Sequence, residues 1–192
     1  MINNKKPRIS RNHHRDHENK TIFVDDMNAL FIGRFQPFHY GHLHVIKTIL
    51  AEYDHVIIGV GSSQYENTPD NPFSYNERDV MITKTLHAEK ITRFTVVPLP
   101  DIHDPPRWVN HVVTLVPTFS VVFTNNSFTA SLFTEKKYTV KQPGFYQKQK
   151  YSGEQIRRAM TVHESWKDLV HPAIHDFLNK INAEKRVSSL NQ

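Results

Sequence analysis

The run HVIIGVG, His55 to Gly61, carries apolar side chains or glycine at every position after its first. A strand with one wet face alternates polar and apolar residues, so a run without that alternation predicts a strand covered on both faces, as in the middle of a parallel sheet. Parallel neighbours need long crossover connections, and the rest of the chain supplies them. From Met27 onward, short β-rich runs alternate with helical ones. ALFIG predicts a first strand, and the run from Gly41 places Leu43, Ile46, Ile49 and Leu50 on one helical stripe. RFTVVPL, SVVFT and the edge candidate YTVK continue the strands. The segment SYNERDVMITKTLHAE opens on Ser74 with Glu77 three residues on, a capping box. Helices are also expected over 107–116, in FTASLFTEKK, and from Ser152 onward in SGEQIRRAM, HESWKDLV and PAIHDFLNKIN. The expected fold is α/β, a parallel sheet with helices on both faces and a small C-terminal helical segment.

Length and charge fix the domain plan. At 192 residues and 38% hydrophobic content the chain can bury one good core and is short for two. Residues 1–20 hold Lys5, Lys6, Arg8, Arg11, Arg15 and Lys20 against Asp16 and Glu18, which is +4 of the formal net charge of +5. The body is therefore nearly neutral, and without a basic stripe interleaved with aromatics it does not read as a nucleic-acid binder. We expect residues 1–26 to be a disordered basic extension, 27–185 the folded domain and 186–192 a flexible tail. His13, His14 and His17 sit in the extension and read as a solvated cluster rather than a metal site. The absence of cysteine excludes thiolate nucleophiles and Cys-based zinc sites. No apolar run approaches the roughly 18 to 20 residues needed to span a bilayer, so a soluble, cytoplasmic protein with no membrane partner is expected.

The segment GRFQPFHYGHLHVIKTIL, from Gly33 to Leu50, concentrates the chemistry. A strand ending at Gly33 and a helix starting near Gly41 put the intervening loop at the carboxyl end of the sheet, where open α/β folds bind ligands. The first turn of that helix offers unpaired N–H groups and the positive end of its dipole. Gly41 leaves room for close approach, His39 and His42 add hydrogen-bond donors, and Arg34 adds a planar fork suited to phosphate oxygens. Together these features predict a polyphosphate cradle. Neither G-x-G-x-x-G nor G-x-x-x-x-G-K-[ST] occurs, which argues against a dinucleotide-dependent dehydrogenase or a P-loop ATPase.

H-x-G-H after a first strand resembles the signature of the nucleotidylyltransferase superfamily, and GRFQPFHYGH resembles its archaeal-type nicotinamide mononucleotide (NMN) adenylyltransferases. IIGVGSSQ, NPFSYNERDVMITK, WVNHV and YSGEQIRRAM follow in the order of that family, from about Met27 to Ile181. The resemblance implies a Rossmann-like domain over 27–185 that transfers AMP from ATP to NMN, giving NAD and pyrophosphate, with Mg²⁺ held mainly by the ATP phosphates and water and no protein metal site. It also implies a homo-oligomer. By position, it assigns Arg34, His39, His42 and Arg157 to catalysis, with Gly33, Gly41, Ser152 and Gly153 completing the ATP site. Trp108 would stack on the nicotinamide ring, a cation over an aromatic face, and Ser62, Gln64 and Arg78 would serve NMN.

Read alone, Arg157 could equally be a helix charge paired with Glu154, Arg78 a surface helix residue, and Trp108 a core residue beside Val109, Val112 and Val113. Three positions depart from the family pattern. Glu154 stands where threonine is usual, Pro105 where asparagine is common, and Thr124–Ser127 replaces a Ser-Gly-Asn turn. Two rival readings follow: a related nucleotidylyltransferase with another phosphate acceptor, or a non-catalytic nucleotide-binding protein.

Overall fold

In a computed structural model of the chain, which describes residues 27–144 and 146–190, five strands form one sheet in the order β3-β2-β1-β4-β5. They are β1 (Asn28–Gly33), β2 (His55–Gly61), β3 (Phe94–Leu99), β4 (Val121–Phe123) and β5 (Val140–Lys141). All four pairings are parallel, with Leu30 opposite Ile57 on one side and Val122 on the other. The helices are α1 (Tyr40–Glu52), α2 (Tyr75–Ala88), α3 (Pro105–Leu115), α4 (Ser127–Glu135), α5 (Gly153–Thr161), α6 (His175–Lys180) and α7 (Ala183–Leu190). No helix among the described residues is long and apolar enough to cross a membrane. The basic extension, with His13, His14 and His17, and residues 191–192 lie outside the described residues.

The period of two along each strand sorts the core into two layers. Ala29 and Phe31 of β1 and Val56, Ile58 and Val60 of β2 pack with α1, α2 and α5–α7. Leu30, Ile32 and Ile57 point the other way, against Val109 and Val112 of α3 and Phe133 of α4. Both faces are thus covered, which is why HVIIGVG shows no alternation.

The connectivity places a crevice. The chain runs outward from β1 to β3, then crosses back to lay β4 against the other side of β1. Loops leaving β1 and β4 therefore diverge to opposite faces, and a crevice opens between them at the carboxyl edge.

The capping box forms as read: Ser74 accepts from the Glu77 backbone N–H at 3.2 Å and Glu77 from that of Ser74 at 2.9 Å. Two C-terminal expectations change. HESWKDLV contains only a 3₁₀ turn, Lys167–Leu169, and its Trp166 and Val170 are buried core residues. The tail expected over 186–192 is ordered helix as far as Leu190. Val187 is fully buried, Ser188 donates to the Met160 carbonyl at 3.1 Å, and Arg186 reaches back to the Glu77 carboxylate at 2.7 Å. Replacing Val187 with Ala should accordingly cost about 2 kcal/mol in urea unfolding, the scale of a cavity at a core position. A near-zero change would return these residues to the tail.

Candidate active site

The crevice is a cavity of about 420 Å³. Its floor is the β1–α1 loop and the start of α1, which contribute Gly33, Arg34, His39, Gly41 and His42. Ser152 and Gly153, at the start of α5, form a second wall. The far side comes from Thr124, Asn125 and Asn126 after β4.

Two glycines are dictated by close approach. A Cβ on Gly41 would lie 2.9 Å from the His39 ring and 3.1 Å from the Tyr151 carbonyl. A Cβ on Gly153 would lie 2.7 Å from the Gln36 carbonyl oxygen, a backbone atom that cannot swing aside. The helix starts of α1 and α5 therefore pack against each other's flanking backbone, and their open N–H ends face one cavity.

The two histidines form a stacked pair, ring centroids 3.6 Å apart and planes 23° from parallel. His42 Nδ1 accepts from the His39 backbone N–H at 3.3 Å, which leaves the proton of a neutral ring on Nε2. Phe35 meets the His42 ring edge-on at 4.7 Å, and Phe38 stacks on it at 5.5 Å. Burial pulls the His39 pKa down to about 3. Burial, and then the neighbouring His39, hold His42 well below the ordinary histidine range. At neutral pH both are uncharged donors, so the cationic character read into this turn falls to the arginines. His39 Nδ1 is buried without a hydrogen-bond partner, which suits a group awaiting one.

Arg34 is exposed and lines the cavity. Arg157 does not line it; the side chain lies behind Gly153 and donates from Nη1 to the Gln36 carbonyl at 2.8 Å. Burial first, and then Arg34, depress its pKa, while Asp70 and Glu154 oppose the shift. Arg157 is thus near enough to Arg34 for mutual repulsion, and an anion between them would relieve it.

Arg78 has a different job from the one expected. It is 0% exposed and absent from the cavity wall. Its guanidinium donates to the carbonyls of Ser74 (3.2 Å), Arg34 (3.0 Å), Gly61 (2.9 Å) and Ser62 (3.2 Å). Burial, and then Arg34, lower its pKa to about 10, so it stays charged while tying the ends of β1 and β2 to α2. Gln64 is also outside the cavity, paired through both amide atoms with the backbone of Asp101 at 2.9 and 3.0 Å. Ser62 lines the cavity and donates to the Asp101 carboxylate at 2.7 Å. Trp108 lines it too, edge-on to Phe133 at 5.9 Å, and its Nε1 is buried without a partner.

Other residues that shape the site escaped the sequence reading. Gln36, buried behind the wall, binds the backbone of Phe73 both ways, at 2.9 and 3.0 Å. Asp101 follows β3 at the ligand edge, a position its strand assignment could have flagged. Tyr146 and Tyr151 line the cavity, ring planes 5° from parallel, and Tyr146 stacks on His44 at 4.1 Å.

Comparison with known proteins places this arrangement. The cytidylyltransferase-like family profile matches residues 30–159. A nicotinamide-nucleotide adenylyltransferase of Thermoplasma acidophilum is 40% identical over 165 residues, 86% of this chain and 92% of the relative. One from Methanococcus maripaludis is 42% identical over 166 residues, 86% and 96% of the two chains. Among solved structures, a bifunctional NMN adenylyltransferase/ADP ribose pyrophosphatase from Francisella tularensis has a TM-score of 0.72 at 25% identity, covering 85% of this chain. The chain spans about half of that protein, 52% of its length. The Francisella protein was also solved complexed with AMP and a Mn ion, with a TM-score of 0.68 at 24% identity.

The buried neutral histidine has a stability consequence. An unfolded His39 takes up a proton below about pH 6.5, whereas the folded ring does so only near 3, so stability is fully present above 6.5 and falls as pH drops through that window. Each pH unit is worth at most about 1.4 kcal/mol per site. Between pH 7 and 5, urea unfolding of a His39→Asn variant should lose about 1 to 2 kcal/mol less than wild type. Parallel pH dependences would show that the folded His39 ring takes up its proton over the same range as the unfolded one.

Proposed function

The chain belongs to the cytidylyltransferase-like family and, within it, to the nicotinamide-nucleotide adenylyltransferases, and we propose how its cavity performs their reaction. It is a nucleotidyltransferase of NAD biosynthesis that transfers the AMP of ATP to NMN, giving NAD and pyrophosphate.

A phosphate monoester with a second pKa near ~6 is largely ionised at neutral pH, so the NMN phosphate needs no general base. It attacks the α-phosphorus of ATP, the bond from that phosphorus to the β-bridging oxygen breaks, and the electron pair leaves with pyrophosphate. Two anions must be held in line while charge spreads over the transferring group, work done by positioning and fixed donors. No covalent intermediate is required.

In this reading the ATP phosphates lie over the starts of α1 and α5. The backbone of Gly33 flanks them, and N–H groups near Gly41 and Gly153, with the Ser152 hydroxyl, line their path. Arg34 reaches them from the exposed side, and Arg157 closes from behind Gly153. His39 and His42 donate from neutral rings, and His42 is placed to follow the charge on the α-phosphate. The observation that carries this is the His39 N–H to His42 Nδ1 bond, which fixes one imidazole proton on Nε2 beside the cradle. Nicotinamide lies against Trp108 with Ser62 nearby, and Tyr146 and Tyr151 offer flat rings on the cavity wall for the base of ATP. Among the described residues no three His, Asp or Glu side chains are grouped to hold a metal. By the family resemblance, Mg²⁺ is assigned mainly to the ATP phosphates and water, where it would offset charge on the leaving group. Self-association and a cytoplasmic setting belong to the same proposal and rest on the family resemblance.

The departures at Glu154 and Pro105 fit the fold. Glu154 is exposed in the first turn of α5. Pro105 opens α3, a position whose missing N–H costs nothing, behind the Asp104 cap. Incubation of the purified protein with ATP, Mg²⁺ and NMN should release NAD and pyrophosphate. His42→Ala should lower kcat about 10²-fold or more with the circular dichroism spectrum unchanged. Near-wild-type turnover would remove His42 from the reaction, and CTP or another acceptor outperforming ATP and NMN would support the rival reading.

A further inference from the structure

Among the described residues that line the cavity, Asp101 is the one with an acidic side chain. In a site for two phosphorylated substrates a carboxylate is a liability unless it faces a part of the ligand that is neutral, cationic or rich in donors. Its position supplies such a partner. Asp101 shares with Trp108, Phe128 and Thr129 both the main cavity and an adjoining hollow of about 330 Å³. It stands at the Trp108 end, away from the helix starts that suit phosphate.

The residue is held there deliberately. Ser62 donates to Oδ2 at 2.7 Å, and Gln64 fixes the backbone N–H and carbonyl at 3.0 and 2.9 Å. Those three bonds join the loop after β2 to the loop after β3. The neighbouring carboxylate in the second hollow, Asp104, is already engaged by the Arg107 side chain and backbone. Asp101 is left to meet the ligand.

Resting on the NMN reading above, we infer that Asp101 is the specificity-determining residue that selects the carboxamide of NMN against the carboxylate of nicotinic acid mononucleotide. A carboxylate accepts hydrogen bonds and cannot donate. It takes an N–H from the amide and favours the cationic pyridinium ring, whereas the acid analogue offers no donor and places like charges together.

The test compares kcat/KM for the two acceptors at saturating ATP in wild type, Asp101→Asn and Ser62→Ala. Wild type should favour NMN by about 10²-fold or more, the scale of an unpaired or like-charged buried contact. Asp101→Asn should collapse that ratio at least tenfold, through a higher KM for NMN and a lower one for the acid, with KM for ATP unchanged. Ser62→Ala, which frees the carboxylate without removing it, should reduce the ratio part of the way and covers the case in which the Asn variant does not fold. Equal losses on both acceptors would mean that Asp101 holds a shared group such as the ribose or only braces the loops, and would overturn the inference. So would an unchanged ratio. Calorimetric dissociation constants for NMN and the acid analogue read the same ratio without turnover, so failure of the adenylyl-transfer reading alone stays distinguishable.

Discussion

A site built from backbone N–H groups and uncharged imidazoles depends on how firmly its loop is held, because such donors are worth most when they need not reorganise. Three side chains fasten the β1–α1 loop. Gln36 binds the backbone ahead of α2, Arg157 from α5 binds the Gln36 carbonyl, and Arg78 from α2 binds the Arg34 carbonyl. Each bridges segments distant in sequence, so the loop is clamped from α2 and α5 at once. Within it Phe35 adopts a left-handed backbone, φ 53°, at a cost of about 1 to 2 kcal/mol for a side chain with a Cβ. Its ring in return packs edge-on against Phe31 and His42. The strain buys a fixed imidazole.

Charge is divided between permanent and conditional groups. The Arg34 guanidinium, on the cavity wall, repels that of Arg157 behind Gly153. The histidines are kept neutral by burial, helped at His42 by the neighbouring His39, so they add directionality without adding to that repulsion. In the proposed reading, a polyphosphate entering between the arginines would relieve the repulsion and meet donors already aimed. Four fixed cations in the same volume would bind pyrophosphate strongly in the ground state and slow its release.

A parallel sheet covered on both faces was legible because burial on both sides writes itself into HVIIGVG and into the helical stripe of α1, whereas the order of its strands was not. That the β1–α1 turn would floor a cavity was legible for the related reason that a strand-to-helix turn exposes N–H groups wherever the topology puts it. Other assignments failed because they depended on tertiary partners that local pattern does not encode. Arg78 reads as a surface helix charge, and only the convergence of four backbone carbonyls makes it a buried strut. In AEKRVSSL a single large apolar residue sits at mid-helix, too little for a stripe, yet α7 is held by Val187 in the core and Arg186 on Glu77. HESWKDLV has helical spacing between Trp166 and Val170, and a 3₁₀ turn satisfies the same two burials in fewer residues.

The same distinction bears on the departures from the family pattern. Glu154 looks hostile to a triphosphate when only its proximity to Ser152 and Gly153 is considered. In the fold its side chain is exposed, and its charge opposes the depression of the Arg157 pKa. A carboxylate that favours the charged form of a half-buried arginine, and lies toward the positive end of the α5 dipole, stabilises the machinery it seemed to threaten. Pro105 likewise removes a side-chain amide from the loop after β3 but opens α3 at a position that needs no N–H. The polar recognition it gives up must then come from another residue on that loop, and Asp101 is the acidic side chain on the cavity wall able to provide it.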